Sequence, residues 1–180
     1  VVRVGNGIPE LQWDPIKRVK SSVCMIVPSF LMKMDDFAQN NNIEYNNSTL
    51  KRAICIGEAL RNPDGELTTL GKKISEQWGA LELYSTYAST EMQSSFTECE
   101  AHEGGHIPAD LIIVELLDDN EQPVKDGEPG EVTITTIGVE AMPLLRFKTG
   151  DICIRTSAPC KCGRNSARLS SVIGRKGQMI

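Results

Sequence analysis

Four short stretches carry residue types that could act together on a nucleotide. The first is Y-S-T-Y-A-S-T-E, Tyr84 to Glu91. Its hydroxyls, Thr90 foremost, can donate to phosphate oxygens. Glu91 can hold Mg2+, an ion that takes one or two carboxylates and fills its remaining positions with phosphate oxygens and water. Tyr87 offers a flat face to a base. The second stretch is L-L-R-F-K-T-G-D, Leu144 to Asp151, where Thr149-Gly150 allows a tight turn with Asp151 projecting from the start of a strand. A carboxylate there can accept from both ribose hydroxyls, each bond worth roughly 1.5–3 kcal/mol. The third, I-G-R-K-G-Q-M-I from Ile173 to Ile180, places Arg175 behind a glycine. The fourth, I-C-I-G-E-A-L from Ile54 to Leu60, turns at Gly57 directly after an apolar strand and offers backbone groups to a purine. Taken singly, each has an ordinary alternative: a polar turn with a helix-capping hydroxyl, a hairpin with a solvated Asp, a surface Arg.

The cysteines form a separate constellation. Cys24 and Cys55 lie inside the apolar runs V-C-M-I-V and A-I-C-I-G, and Cys153 alternates with apolar residues in D-I-C-I-R, so these three read as small buried hydrophobes. Cys99, Cys160 and Cys162 sit in loop-like sequence. Both histidines fall in C-E-A-H-E-G-G-H, which ends at His106, and P-C-K-C-G supplies the other two thiols. Three thiolates and one imidazole match a structural tetrahedral zinc site, with His102 or His106 as the fourth ligand; free loop cysteines are the alternative. The two halves are distant in sequence, so only the fold can join them.

These residues need a scaffold, and the apolar pattern predicts one. Helices are expected over Trp13–Lys20 (entered through Pro9-Glu10), after Pro28 (with Ser29 as cap and Phe30, Met34 and Phe37 in step) and over Thr69–Trp78. Apolar strands are expected at Val23–Val27, Ala53–Ile56 and Leu81–Tyr84. Strand–helix–strand repetition with continuously apolar strands indicates a parallel sheet covered by helices, whose ligands bind beyond the carboxyl ends of the strands. The pattern then changes. Leu111–Leu117 and E-V-T-I-T-T-I are separated by Asp118-Asp119-Asn120, Asp126-Gly127 and Pro129-Gly130, the signature of antiparallel strands joined by turns. More β-like sequence follows at Leu144–Phe147, Asp151–Arg155 and Leu169–Ile173. The fold class is therefore α/β, a parallel sheet with flanking helices in residues 1–92 followed by a smaller β-rich subdomain in residues 93–180. The polar run Gln39–Asn42 reads as a loop at a helix end.

The 180 residues are 40% apolar and carry 19 basic against 24 acidic side chains, enough for a substantial core and contrary to disorder. The net charge of −5 disfavours a nucleic-acid polymer as partner. The longest apolar run, Val23 to Met32, is interrupted by Pro28-Ser29 and is too short to span a membrane. Six cysteines are too sparse for a disulfide scaffold, so a reducing, cytoplasmic setting is expected, and the sequon Asn47-Ser48-Thr49 is read as chance. The opening V-V-R-V-G-N-G and the ending within the Arg175 motif suggest a piece excised from a longer protein.

In this order and spacing the four stretches resemble the adenylate-forming superfamily, and the likeness runs through nearly the whole chain. Y-A-S-T-E resembles the Tyr-Gly-x-Thr-Glu motif with Ala88 in place of Gly. R-F-K-T-G-D resembles Tyr-Arg-Thr-Gly-Asp, with Phe147 and Lys148 as departures. I-G-R-K-G is similar to the Gly-Arg hinge motif, and I-G-E-A-L to the Gly-Glu-Ala purine loop. Within the superfamily, V-P-S-F-L, F-T-E-C-E and D-G-E-P-G-E-V-T-I-T-T look most like phenylacetate–CoA ligases.

The resemblance implies part of the large amino-terminal domain of an enzyme that makes an acyl-adenylate from ATP and an aryl carboxylic acid, then transfers the acyl group to coenzyme A. It implies that Gly57, Glu58 and Ala59 line the adenine site beside Tyr87, that Thr90 contacts phosphate, that Glu91 binds Mg2+, that Asp151 holds the ribose of ATP or AMP, and that Arg175 lies near ribose and hinge. Phe30, whose alternative is helix core, and Ala88 would flank the acid pocket. Some members share Cys-x6-His and Cys-x-Cys-Gly, which favours Cys99, His106, Cys160 and Cys162 as zinc ligands and leaves His102 behind them or in solvent. The family's phosphate loop and catalytic Lys have no counterpart in these residues, and Gly177 stands where its hinge Asp or Lys would be. The isolated piece is therefore expected to be inactive, and a homodimer is an assembly open to the full-length protein. Two other readings are an adenylating enzyme with a different acyl acceptor and a noncatalytic, zinc-stabilised binding module.

Overall fold

The computed structural model describes residues 1–5, 7–44 and 48–177. Asn47 of the sequon and the Gln178-Met179-Ile180 end of the Arg175 motif lie outside the described residues. The fold is mixed α/β, with ten strands among the described residues. The chain packs as two compact units, Val1–Leu60 with Leu67–Tyr84, and Arg61–Glu66 with Ser85–Ile180. The division thus falls inside the Tyr84–Glu91 stretch.

The first unit opens with α1 (Pro9–Val19), β1 (Val23–Ile26), α2 (Pro28–Asn40), β2 (Arg52–Cys55) and α3 (Thr69–Trp78). Helix α1 takes its expected entry residues Pro9 and Glu10 into its own first turn, where the fixed φ of Pro9 suits the helix and its missing N–H costs nothing. Strands β1 and β2 pair in parallel, Val23 opposite Arg52 and Ile26 opposite Cys55. Val23 and Met25 are nonetheless exposed, at 47% and 65%, so β1 buries one face, where a fully covered strand is expected from its apolar run. The three helices meet over two tryptophans. Trp13 and Trp78 stack with ring centroids 5.8 Å apart, and their indole N–H groups donate to Met34 O and Leu31 O at 3.1 and 3.2 Å. Both carbonyls belong to α2, so each ring contributes apolar area and satisfies its polar edge. Thr68 caps α3 by accepting from Gly71 N at 3.1 Å. Ser29 does not cap α2. The cap position falls on Val27, and Ser29 lies inside the first turn.

The second unit is β-rich. Strand β3 (Glu82–Ser89) starts in the first unit and ends in the second, where it pairs antiparallel with β4 (Ser94–Thr97). Tyr84–Glu91 is therefore largely strand where a loop is expected. The antiparallel register with β4, Ser89 opposite Ser94, carries β3 up to the turn at Thr90–Gln93. The remaining strands are β5 (Gly105–His106), β6 (Ile112–Leu117), β7 (Pro129–Thr136), β8 (Phe147–Thr156), β9 (Arg168–Leu169) and β10 (Gly174–Arg175). Their order is β3-β4-β5-β9-β8-β7-β6, with β10 beside β8. The β6–β7 pairing is the antiparallel arrangement read from the turn residues between them. Phe96, Ile112, Val132, Ile134, Cys153 and Leu169 anchor a core of their own.

Candidate functional site

Asp151 does not follow a tight turn. It lies inside β8, within an irregularity in the β7–β8 ladder. Glu131 pairs with Ile152 and Thr133 with Lys148, so Thr149, Gly150 and Asp151 together oppose Val132 alone. Gly150 supplies the left-handed backbone this bulge needs, at φ +78°. Thr149 Oγ1 donates to Val132 O at 2.9 Å and accepts from Asp151 N at 3.1 Å, which pins the bulge from both sides. Asp151 is 6% exposed. Its Oδ1 accepts from Arg175 Nε at 2.8 Å and its Oδ2 from the Tyr87 hydroxyl at 2.9 Å. Strand β10 brings Arg175 there by pairing it directly with Asp151.

Glu91 stands at the β3–β4 turn. An open cleft of about 300 Å³ is lined by Ser89, Glu91, Phe147, Thr149, Gly150, Asp151, Arg175 and Lys176. Three far-apart motifs thus converge on one concavity within the second unit. Hydrogen bonds from its own backbone N–H and from Ser89 hold the Glu91 carboxyl below its ordinary range, so it is a ready anion for a cation. Thr90 is exposed beside it, and Ala88 is half-buried opposite Ser95. Lys176 escaped the sequence reading. Its Nζ lies 3.1 Å from both Glu131 Oε2 and Asp119 Oδ1, and its N–H donates to Gly150 O at 2.7 Å.

Gly57, Glu58 and Ala59 are exposed just past the carboxyl end of β2, in the first unit, with Gly57 at φ +85°. The Glu58 carboxylate accepts from Ser29 N and Ser29 Oγ, both at 2.8 Å, and so supplies α2 with the first-turn anion that no cap side chain provides. Phe30 is 5% exposed within the core of the first unit.

The second constellation also comes together. Cys99 follows β4, His106 ends β5, and Cys160 and Cys162 lie between β8 and β9. Strand β5 pairs with β9, His106 opposite Arg168, which closes the gap in sequence. The four ligand atoms all lie within 4.8 Å of one another, with Cys99 Sγ 3.5 Å from Cys160 Sγ and Cys162 Sγ 3.5 Å from His106 Nε2. A tetrahedron with metal–sulfur bonds of about 2.3 Å has edges of roughly 3.7 Å, so the donors fit zinc in type and spacing. With Nδ1–H donating to Ser166 Oγ at 2.8 Å, His106 turns its Nε2 lone pair toward the thiols; Ser166 carried no signal in sequence. The Cys162 N–H holds the Cys160 thiol below its usual range, while burial pushes Cys99 up to about 11. His102 is not in the cluster. Its Nδ1 lies 3.0 Å from the buried Glu98, which also binds Arg61 Nε through both oxygens and accepts from Ser85 N. Of the cysteines expected as small buried hydrophobes, Cys55 and Cys153 are buried and Cys24 is half-buried, and burial pushes the thiols of Cys24 and Cys153 up to about 12.

The sequence profile of the AMP-binding enzymes matches residues 3–142. The chain belongs to the AMP-binding enzyme family. Its curated relatives include phenylacetate–coenzyme A ligases from Thermus thermophilus, 30% identical, and Aromatoleum evansii, 27% identical, each matched over 100% of this chain. The chain spans 40% of the length of both. Among solved structures, a 2-hydroxyisobutyryl-CoA ligase superposes with a TM-score of 0.81 at 22% identity, covering 96% of this chain and 40% of that one. A benzoate CoA ligase from Burkholderia xenovorans gives 0.62 at 18%, covering 95% and 35%. At these identities the likeness shows the fold, the amino-terminal domain of adenylate-forming enzymes. Among the described residues of this AMP-binding family member, no helix is long and apolar enough to cross a membrane.

Proposed function

We propose that this chain is a piece of an ATP-dependent aryl-acid CoA ligase of the phenylacetate type. The observation that carries the reading is the convergence of Glu91, Asp151 and Arg175 on one cleft. In the reaction proposed, the acid's carboxylate attacks the α-phosphate of ATP and pyrophosphate leaves; the coenzyme A thiol then attacks the acyl-adenylate and AMP leaves. Bringing two anions together needs positive charge at the phosphate. Mg2+, when bound, would supply it, with Glu91 as its protein ligand and Thr90 donating to phosphate. Asp151 accepts from the ribose hydroxyls and Arg175 holds the ribose edge. Gly57, Glu58 and Ala59 contact adenine, with Tyr87 packing beside it. Ala88 and Phe30 flank the acid pocket, Phe30 through the ring that also packs into its own unit's core. Cys99, His106, Cys160 and Cys162 hold a structural zinc that takes no part in the chemistry. A cytoplasmic enzyme, homodimeric at full length, completes the proposal.

The test is pyrophosphate release by the full-length protein. It should require an aryl acid, and product should appear as a thioester only when coenzyme A is added. Glu91→Ala should slow release with little change in melting temperature; an unchanged rate removes Glu91 from its role. Release without thioester would favour an adenylating enzyme with another acceptor. Folded protein that releases no pyrophosphate with any aryl acid would favour a noncatalytic module.

A further inference from the structure

The carboxylate assigned to the ribose is already engaged. Asp151 Oδ1 accepts from Arg175 and Oδ2 from Tyr87. An ionised carboxylate offers about four lone-pair sites, so roughly one on each oxygen remains for a further donor. Two hydroxyls on neighbouring carbons need both oxygens at once, which demands that the carboxylate plane be fixed. The two partners are unequal to that task. The Arg175 side chain is 65% exposed, whereas Tyr87 is half-buried, with its ring tilted against Phe96 at a centroid distance of 5.7 Å. Burial of the ring and the neighbouring carboxylate both push the phenol upward, so it stays a donor at any working pH.

We propose that Tyr87 is a positioning residue that sets the plane of the Asp151 carboxylate through its hydroxyl, and thereby sets the preference for ribose over 2′-deoxyribose. This goes beyond a ring packed beside a base, and it rests on the reading of Asp151 as the ribose acceptor. Tyr87 reaches Asp151 from β3, and the bulge at Thr149-Gly150 turns Asp151 to meet it. Of the two donors on Asp151, Tyr87 alone is anchored in the core. Removing its oxygen frees Oδ2 to rotate while Arg175 still neutralises the charge. Loss of orientation with retention of charge weakens a bidentate contact more than a single one.

Isothermal titration of the full-length protein with AMP and 2′-deoxy-AMP tests this, using wild type, Tyr87→Phe and Asp151→Asn. The wild type should prefer AMP by roughly tenfold or more, as one well-made hydrogen bond to a charged acceptor provides. Tyr87→Phe should weaken AMP by roughly the same tenfold or more and bring the preference close to unity, with 2′-deoxy-AMP nearly unaffected. A merely structural role would weaken both nucleotides alike and leave their ratio intact. Should Asp151→Asn lose the preference while Tyr87→Phe keeps it, the positioning role is refuted and the ribose reading stands. Should Asp151→Asn keep the preference, or the wild type bind neither nucleotide, the ribose reading itself fails.

Discussion

Gly105 has no room for a side chain, and that makes it a sensitive point of the Cys/His cluster. A Cβ there would lie 2.3 Å from Phe96 O and 2.7 Å from Phe96 C, both backbone atoms of β4. Contacts of a real Cβ essentially never fall under 3.0 Å, so β5 must retreat by about 0.7 Å or β4 must give way. Neither strand moves freely. Thr97 of β4 pairs with His106, and His106 pairs on its other side with Arg168 of β9. Metal sites tolerate distance errors of roughly 0.2 Å, about a third of the required shift, and the displaced residue is the direct neighbour of His106. Gly105→Ala should therefore cost about 1–3 kcal/mol as an overpacked site and displace the imidazole from the three thiols. Two assays read these effects apart. Thermal unfolding should fall by a few degrees, about 2–4 °C per kcal/mol in a domain of this size. Metal analysis should fall from the proposed one zinc per chain to a fraction, with faster thiol labelling at Cys162. A variant that keeps both its zinc and its melting temperature would show that the strands are not as tightly apposed as the 2.3 Å contact requires.

Arg61→Met should destabilise the protein strongly, by roughly 3–5 kcal/mol in urea unfolding, because it strips the main cation from a Glu98 side chain that is 1% exposed. A loss below about 1 kcal/mol would mean that Ser85 N–H and His102 suffice for that carboxylate. The pH dependence of stability should contain a contribution from Asp126. Its carboxyl is held below the ordinary 3.8 by Ser157 and Arg155, whose N–H and Nε donate at 2.7 and 2.8 Å. A depressed carboxyl stabilises the fold above its unfolded value and loses that contribution as pH falls through the folded one. The difference in urea midpoint between wild type and Asp126→Asn should thus be constant near neutrality and shrink below about pH 4. A constant difference down to acid pH would assign the effect to something other than ionisation.

Much of the scaffold was legible because it depends on local signals. Helix α3 begins and ends where Thr68 and Gly79 place it, and the β6–β7 pairing follows from the turn residues between them. Three of the four motifs meet at one cleft, from the end of β3, from within β8 and from β10, whereas Gly57–Ala59 lies in the first unit. What was illegible depends on pairing. The Tyr84–Glu91 stretch reads as a loop because its polar residues outnumber its apolar ones. Only the partnership with β4 shows that Ser85, Tyr87 and Ser89 lie on one side of a strand. Ser29 looks like a helix cap until Glu58, 29 residues on, supplies the anion instead. Glu98 reads as one more surface acid beside Cys99, yet Arg61 and Ser85 bury it.

The Thr149-Gly150 segment shows why the sequence reads as a tight turn where the chain forms a bulge. A tight turn and a bulge make the same local demands: a glycine with positive φ and a hydroxyl able to bridge nearby backbone groups. Sequence alone cannot separate them, because the difference lies in what the flanking residues pair with. A turn would send Phe147 and Asp151 into two adjacent antiparallel strands, whereas here both belong to β8 and face β7. The functional consequence is large. A residue at a turn is held from one side, but Asp151 inside a ladder is flanked by β7 and by β10, and so meets Arg175 through a backbone pairing rather than by chance approach of two loops. Backbone pairing therefore fixes where the Asp151 Cα sits, the one glycine that interrupts the strand sets its direction, and fixing the plane of the carboxylate is left to the hydroxyl of Tyr87, as proposed above.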